Sequence, residues 1–358
     1  MKLLLKRNVK DNIEHCKIQT LCYYLKTKNI DISEHIIFLL GLDEFLQFGL
    51  ENYKQQLLWF MITYNEYCEK KIMNYFGIKE SPVPTSSIDE IKKYVDEGRD
   101  VGVYFDFNVR KVHKDKVISV SNTPVINMGR FMFNSFGIIE NYDDEYFYLN
   151  VVDLDGKPIR LNFKAYEENK LYEHTVFLEI DESIHKNEDS LYPVILDDLK
   201  RACDIYLTEV SKYQYDEESK KYGVSGKSSF AALNEEVKAL INKFTDSEDE
   251  RYLKILAYRL NIMRLYQDKG SKTAFRSEIG NSLIYLGKYN PLLKESGEEF
   301  IALGKHWREF VRILYQVNMP YFYRNPKKYY EKFYSIICNL ASAEEAAVSR
   351  LREVLHGE

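Results

Sequence analysis

The sequence predicts an α+β domain over residues 1–182 followed by an all-helical domain over residues 190–358. Three observations carry this. Helical periodicity dominates up to about residue 95, period-two strand patterns fill residues 101–181, and only helical periodicity is read beyond residue 190. Helices, then strands, then helices is the order of an α+β domain joined to an α domain, not the alternation of a parallel α/β sheet. At 358 residues the chain has room for two cores.

The elements follow in order. Ile18, Leu21, Cys22 and Leu25 recur at three- and four-residue steps, which predicts an amphipathic helix over residues 16–28. Asp31, Ser33 and Glu34 offer caps for a second short helix, stopped by Gly41. Residues 53–76 read as a third helix, with Leu57, Leu58, Met61 and Ile62 on its buried face. The stretch from Ser81 to Pro84 is a break, and Ser87 caps a helix through Val95. Strands are predicted over residues 101–109, 117–121, 136–142, 146–152, 159–163 and 175–181, the last closing the sheet. Asp143-Asp144 makes the hairpin turn, and a short helix fills residues 165–171. Helices then span residues 191–213, 228–244, 249–268, 272–287, 297–317 and 341–356, with breaks at Gly223 to Gly226, Gly270, Asn290-Pro291, Pro320 and Pro326.

Bulk properties exclude several functions. Hydrophobic residues at 45% and charged residues at 29% describe a globular chain. A net charge of -5 argues against nucleic acid as the main partner. No apolar stretch approaches the roughly 20 residues a membrane helix needs, and the start carries no signal peptide, so a cytosolic location and no membrane partner are expected. The five cysteines, Cys16, Cys22, Cys68, Cys203 and Cys338, show no metal-ligand spacing; free thiols and no cofactor or metal are expected. Nucleotide-binding glycine loops, the zinc-protease motif and the serine-hydrolase elbow are all absent.

One thiol stands out. Cys16 falls at the start of the first helix, where outward-facing N–H groups and the helix dipole favour a thiolate and can hold an oxyanion beside it. The alternative reading is a buried structural cysteine. A nucleophilic thiol is commonly served by an imidazole. Of the seven histidines, His113 lies in the loop after the first predicted strand, inside the sheet region proper, where a surface-loop residue is its alternative reading. His15 adjoins Cys16 in sequence, but neighbouring helix positions point in different directions, which makes it a poor base. Asp106 reads either as an acid or as a buried carboxylate at a strand end, and Asp143, Asp144 and Glu145 as a solvated turn.

His15-Cys16, the amphipathic run to Leu25, Ile32-Ser33-Glu34 and Leu40-Gly41-Leu42 together resemble the opening of the butirosin biosynthesis protein H family. The strand ending at Asp106 and the stretch over residues 138–149 resemble later landmarks of that family. Residues 229–240, Phe275-Arg276 and Trp307 resemble landmarks of its helical domain, so the resemblance covers about residues 8–317. It implies a papain-like, leader-peptidase-like cysteine-protease fold in the first domain. It further implies an acyltransferase of natural-product (antibiotic) biosynthesis that moves an acyl or aminoacyl group from an acyl carrier protein thioester to the amine of a small acceptor, making an amide. Cys16 then matches the nucleophile. The family's histidine maps to Asn134 or Ser135, neither of which can act as a base, and its following acid maps to Asn150 or Asp153. Asn150 can orient an imidazole as an asparagine does in papain-like enzymes. A thioester needs mainly a thiolate, because its thiol leaves without acid help, with His113 or the acceptor amine as the later base. A degenerate site that only binds a peptide-like molecule, and a peptidase or amidase using the same thiol, are the rival readings.

Overall fold

The computed structural model describes residues 15–43, 45–53, 56–62, 68–106, 112–113, 116–117, 134–152, 158–168, 170–181, 186–208, 214–216, 221–269 and 273–357. Helix α1 (Cys16–Thr27) and α2 (Glu34–Leu40) lead into a hairpin of β1 (Gln47–Tyr53) and β2 (Gln56–Ile62). Then come α3 (Cys68–Tyr75), β3 (Ile78–Pro82), α4 (Ile88–Asp96), β4 (Val101–Asp106), the two-residue strands β5 (Val112–His113) and β6 (Lys116–Val117), β7 (Asn134–Tyr142), β8 (Tyr146–Val152), β9 (Pro158–Asn162), α5 (Phe163–Glu168) and β10 (Thr175–Ile180). The remainder is α6 (Glu188–Leu207), β11 (Gln214–Asp216), β12 (Lys221–Ser225), α7 (Ser228–Ser247), α8 (Arg251–Lys269), α9 (Arg276–Leu286), α10 (Pro291–Tyr315), α11 (Pro320–Arg324) and α12 (Pro326–His356). The chain is mixed α+β with a helical C-terminal region.

Contacts divide the chain into two units, Met1–Ile37 with Cys68–Leu191, and Phe38–Tyr67 with Tyr192–Glu358. In the first, six antiparallel strands run in the order β3-β10-β4-β7-β8-β9. Successive strand residues face opposite ways, and both faces are covered. Val101, Val103, Phe105, Phe147, Leu149 and Val151 form one core with Ile91 of α4 and Tyr166 of α5. The other face carries α1, whose Thr20 hydroxyl donates to the Phe136 carbonyl of β7 at 2.9 Å. Ile18, Leu21, Cys22, Tyr24 and Leu25 of α1 are buried, each apolar one worth about 1.5–3 kcal/mol.

Several elements differ from the sequence expectation. Residues 47–62 form the β1–β2 hairpin, paired from Gln47 with Ile62 to Tyr53 with Gln56, where a helix was expected from residue 53. The continuous run from Leu57 to Ile62 suits a buried strand and a buried helix equally, and the two residues between the strands carry no glycine, asparagine or aspartate to announce a turn. The break expected at Ser81-Pro82 is the end of β3. It is β3 that edges the sheet, so β10 lies inside it, and Pro82 is tolerated because an edge strand can spare a donor.

Beyond residue 190 the region is not purely helical. β11 and β12 join β1 and β2 in a second antiparallel sheet, ordered β11-β12-β1-β2 within the second unit. Phe38–Tyr67 belongs to that unit, whereas the sequence reading placed it in the first domain. Asn290 and Pro291, read as a break, are the N-cap and first residue of α10. Pro326 likewise opens α12, a 31-residue helix that begins 15 positions before the expected start at residue 341.

The second unit is held by a buried ionic cluster. Arg276 donates through Nε to Glu344 Oε1 at 2.7 Å, through Nη1 to the Ala274 carbonyl at 2.9 Å and through Nη2 to the Phe45 carbonyl at 2.5 Å. Trp307 Nε1 donates to Glu344 Oε2 at 2.7 Å. All three side chains are buried. Ala274 and Phe275 both adopt left-handed backbone, an unfavourable state for non-glycine residues that the bonds around Arg276 hold in place.

Candidate active site

The site is built at the first turn of α1. His15 is the N-cap, with extended backbone, and its carbonyl accepts from Gln19 N–H at 3.0 Å. Its ring Nδ1 accepts from Ile18 N–H at 3.5 Å, a long cap contact. Accepting there requires an unprotonated Nδ1, and the imidazole pKa is drawn down to about 3, by burial first and the Lys17 ammonium second. His15 is therefore held as a neutral cap.

Cys16 is the first helical residue, so its backbone lies where first-turn N–H groups point out of the helix end. Next to it, Lys17 is buried and its ammonium pairs with Glu69 Oε2 of α3 at 2.8 Å. Among the described residues Glu69 Oε1 is buried without a hydrogen-bond partner, and Cys68 Sγ lies 3.8 Å from Oε2. The Tyr104 hydroxyl of β4 donates to Glu80 of β3, and its pKa is pushed up by burial, then by the Glu69 and Glu80 carboxylates. Sequence reasoning missed this cluster. Lys17 and Glu69 look like ordinary surface charges, and only the folded contact between segments 52 residues apart buries them.

The direction of α1 decides what lies near Cys16. Its C-terminal part reaches Asp100, through the Tyr24 hydroxyl at 3.5 Å and the Lys28 ammonium at 2.5 Å. Its middle, Thr20, touches Phe136. Asp100 precedes β4, and β4 pairs antiparallel with β7 from Gly102 opposite Ile138 to Asp106 opposite Asn134. The N-terminal end of α1 therefore points to the sheet edge where β4 ends at Asp106, β7 begins at Asn134 and β8 ends at Val152.

That edge gathers the predicted residues unequally. Cys16, Asn134 and Asp106 have their backbones there, and their side chains lie outside the described part. Ser135 is buried in β7 opposite Phe105. Asp153 lies outside the described residues, directly after the end of β8. Asn150 is buried in β8; its Oδ1 accepts from Ile138 N–H at 2.9 Å and its Nδ2 donates to the Thr20 carbonyl at 3.2 Å. Those bonds tie α1 to the sheet, so Asn150 positions the helix that carries Cys16. His113 ends β5, which among the described residues pairs only with β6, outside the six-stranded sheet; its side chain is outside the described part.

Comparison with known proteins gives no matching family model and no matching curated sequence.

Proposed function

We propose that this protein is a cysteine-dependent acyltransferase that forms an amide, moving an acyl or aminoacyl group from a carrier-protein thioester to an amine, in a papain-like first domain. The observation that carries the reading is Cys16 as the first residue of a twelve-residue helix laid on an antiparallel sheet, its open end directed to one sheet edge. The resemblance to the butirosin biosynthesis protein H family supports the same reading.

In this mechanism the Cys16 thiolate attacks the thioester carbonyl. First-turn N–H groups hold the oxyanion, and the carrier's thiolate departs to leave an acyl-Cys16 thioester. The acceptor amine then attacks that carbonyl, loses a proton to solvent or a nearby base, and expels the Cys16 thiolate. No step requires an acid for a poor leaving group, which favours a thioester donor over the amide of a peptidase substrate. A cytosolic location belongs to the same reading, and Cys203 and Cys338 are free thiols.

One observation favours a second reading, a protein that binds a peptide-like molecule without chemistry. The Asn150 side chain binds backbone on both sides, Oδ1 accepting from Ile138 N–H of β7 and Nδ2 donating to the Thr20 carbonyl of α1, which is a structural use of that amide. Incubation with acyl-pantetheine thioesters, followed by intact mass spectrometry and peptide mapping, separates the two. Acyl transfer predicts an adduct on Cys16 that disappears in Cys16→Ala and is discharged by added amines. Binding alone predicts no adduct and unchanged ligand affinity after Cys16 alkylation.

A further inference from the structure

Five large apolar side chains in the second unit, Tyr315, Met319, Tyr321, Tyr323 and Tyr334, are between 41% and 56% exposed. Among the described residues only Ile255 and Leu292 join them as exposed large hydrophobics, so the exposure concentrates in one stretch, where α10 turns through α11 into α12. The turn is anchored rather than loose. Phe322, Tyr329 and Phe333 of the same stretch are buried, the Phe322 and Tyr329 rings meet at 4.9 Å, and the Tyr329 hydroxyl donates to the Ile313 carbonyl at 3.3 Å. Inward aromatics thus fix the outward ones in place.

The charge on this surface is uneven. Arg324, Lys327, Lys328 and Lys332 are exposed, with Glu331 the single acid between Met319 and Tyr334. None of the four cations has an ion-pair partner among the described residues. Among the described residues the acids that approach from neighbouring segments, Glu250 beside Tyr323 and Glu235 beside Tyr330 and Tyr334, each lie within 4 Å of a lysine of their own, Lys254 at 3.7 Å and Lys238 at 3.9 Å. An overall acidic chain therefore presents unpaired positive charge beside exposed tyrosines and a methionine.

We propose that this turn is a peripheral docking surface for an anionic phospholipid bilayer. Tyrosine places an apolar ring and a polar hydroxyl at the headgroup level, and lysine and arginine are drawn to an anionic leaflet. Protein interfaces are enriched in tyrosine, methionine and arginine but depleted in lysine, so it is Lys327, Lys328 and Lys332 that set this surface apart from a protein contact. Met319, the most exposed of the five, suits the acyl boundary and offers a nucleic acid neither stacking face nor hydrogen bond. The sequence expectation of no membrane partner rested on the lack of a spanning segment. No helix among the described residues is long and apolar enough to cross a membrane, and a peripheral surface needs none.

The test is co-sedimentation of the full chain with phosphatidylcholine vesicles, with and without phosphatidylserine. Binding is expected to the phosphatidylserine vesicles alone, and to be lost in high salt. Replacing Lys327, Lys328 and Lys332 together by Gln lowers the partition roughly 100-fold, since each surface lysine contributes about fivefold. Met319→Ser with Tyr321→Ser also weakens it. All five positions are exposed, and circular dichroism checks that the variants fold. No sedimentation with either vesicle, equal sedimentation with both, or variants that bind like the parent chain overturns the proposal. So does a lysine-dependent gel shift of single-stranded DNA without vesicle binding.

Discussion

The start of α1 holds two titratable side chains with opposite consequences. His15 is kept neutral, with a folded pKa near 3 against an ordinary value of 6.5. The unfolded chain then binds the extra proton between those values, so stability is fully present above about pH 6.5 and declines as pH falls towards 3. His15→Asn retains a capping side chain and removes the titration. Its thermal melting point is expected to fall less between pH 7.5 and pH 4.5 than that of the parent chain. Lys17 pairs with Glu69 away from water. Removing one partner of a buried pair strands the other, so Glu69→Ala is expected to cost about 3 kcal/mol in urea unfolding. A double Lys17→Met, Glu69→Leu change is expected to recover most of it. At this scale the sequence disclosed Cys16, through its position before an amphipathic run, but not the partners of α1. Asn150 and Glu69 are polar letters in apolar or mixed segments, and nothing local says which of them the fold buries.

At the scale of elements, α9 and α10 meet backbone to backbone through a glycine pair. A Cβ on Gly280 would stand 2.5 Å from the Gly297 carbonyl oxygen, and one on Gly297 would stand 2.5 Å from that of Gly280. Neither clash is with a side chain that can move aside, so either helix must shift to admit a methyl group. Gly280→Ala and Gly297→Ala are each expected to lower stability by about 2 kcal/mol despite alanine's better helix propensity, read from the urea midpoint. Elements with local signals were legible: α1, the Ser87-capped α4, and the β7–β8 hairpin with its Asp143-Asp144 turn all follow from spacing and cap or turn residues. The β1–β2 hairpin and the β11–β12 pair were not. The two pairs meet only through the remote β1–β12 contact, Gln47 lying opposite Ser225, and a short strand with a neighbour 178 positions away has little local pattern to show.

At the scale of the whole molecule, the chain does not separate where its composition suggests. The second unit takes β1, β2 and the Phe45 carbonyl from before residue 67 and the rest from after residue 191. A fragment of residues 190–358 would leave β12 without β1 and Arg276 without one of its acceptors. Such a fragment is expected to be insoluble or molten, by near-ultraviolet circular dichroism, while the full chain gives a cooperative transition. The Arg276, Trp307 and Glu344 cluster makes the same point within one unit, joining α9, α10 and α12 through a single carboxylate. Phe275-Arg276 and Trp307 could be marked in the sequence, yet Glu344, the group both of them bind, sits in a helix whose start was read 15 positions too late.

All of the chemistry depends on the acidity that the end of α1 confers on one sulfur. The rate of Cys16 alkylation by iodoacetamide, followed by peptide mapping from pH 4 to pH 10, reports that acidity in the folded chain. An apparent pKa below about 7.5, against roughly 8.5 for an ordinary thiol, is the expected result. It should rise to the ordinary value when the chain is unfolded in urea. A Cys16 that titrates at or above 8.5 in the folded protein, or that resists alkylation at every pH, contradicts a nucleophilic role.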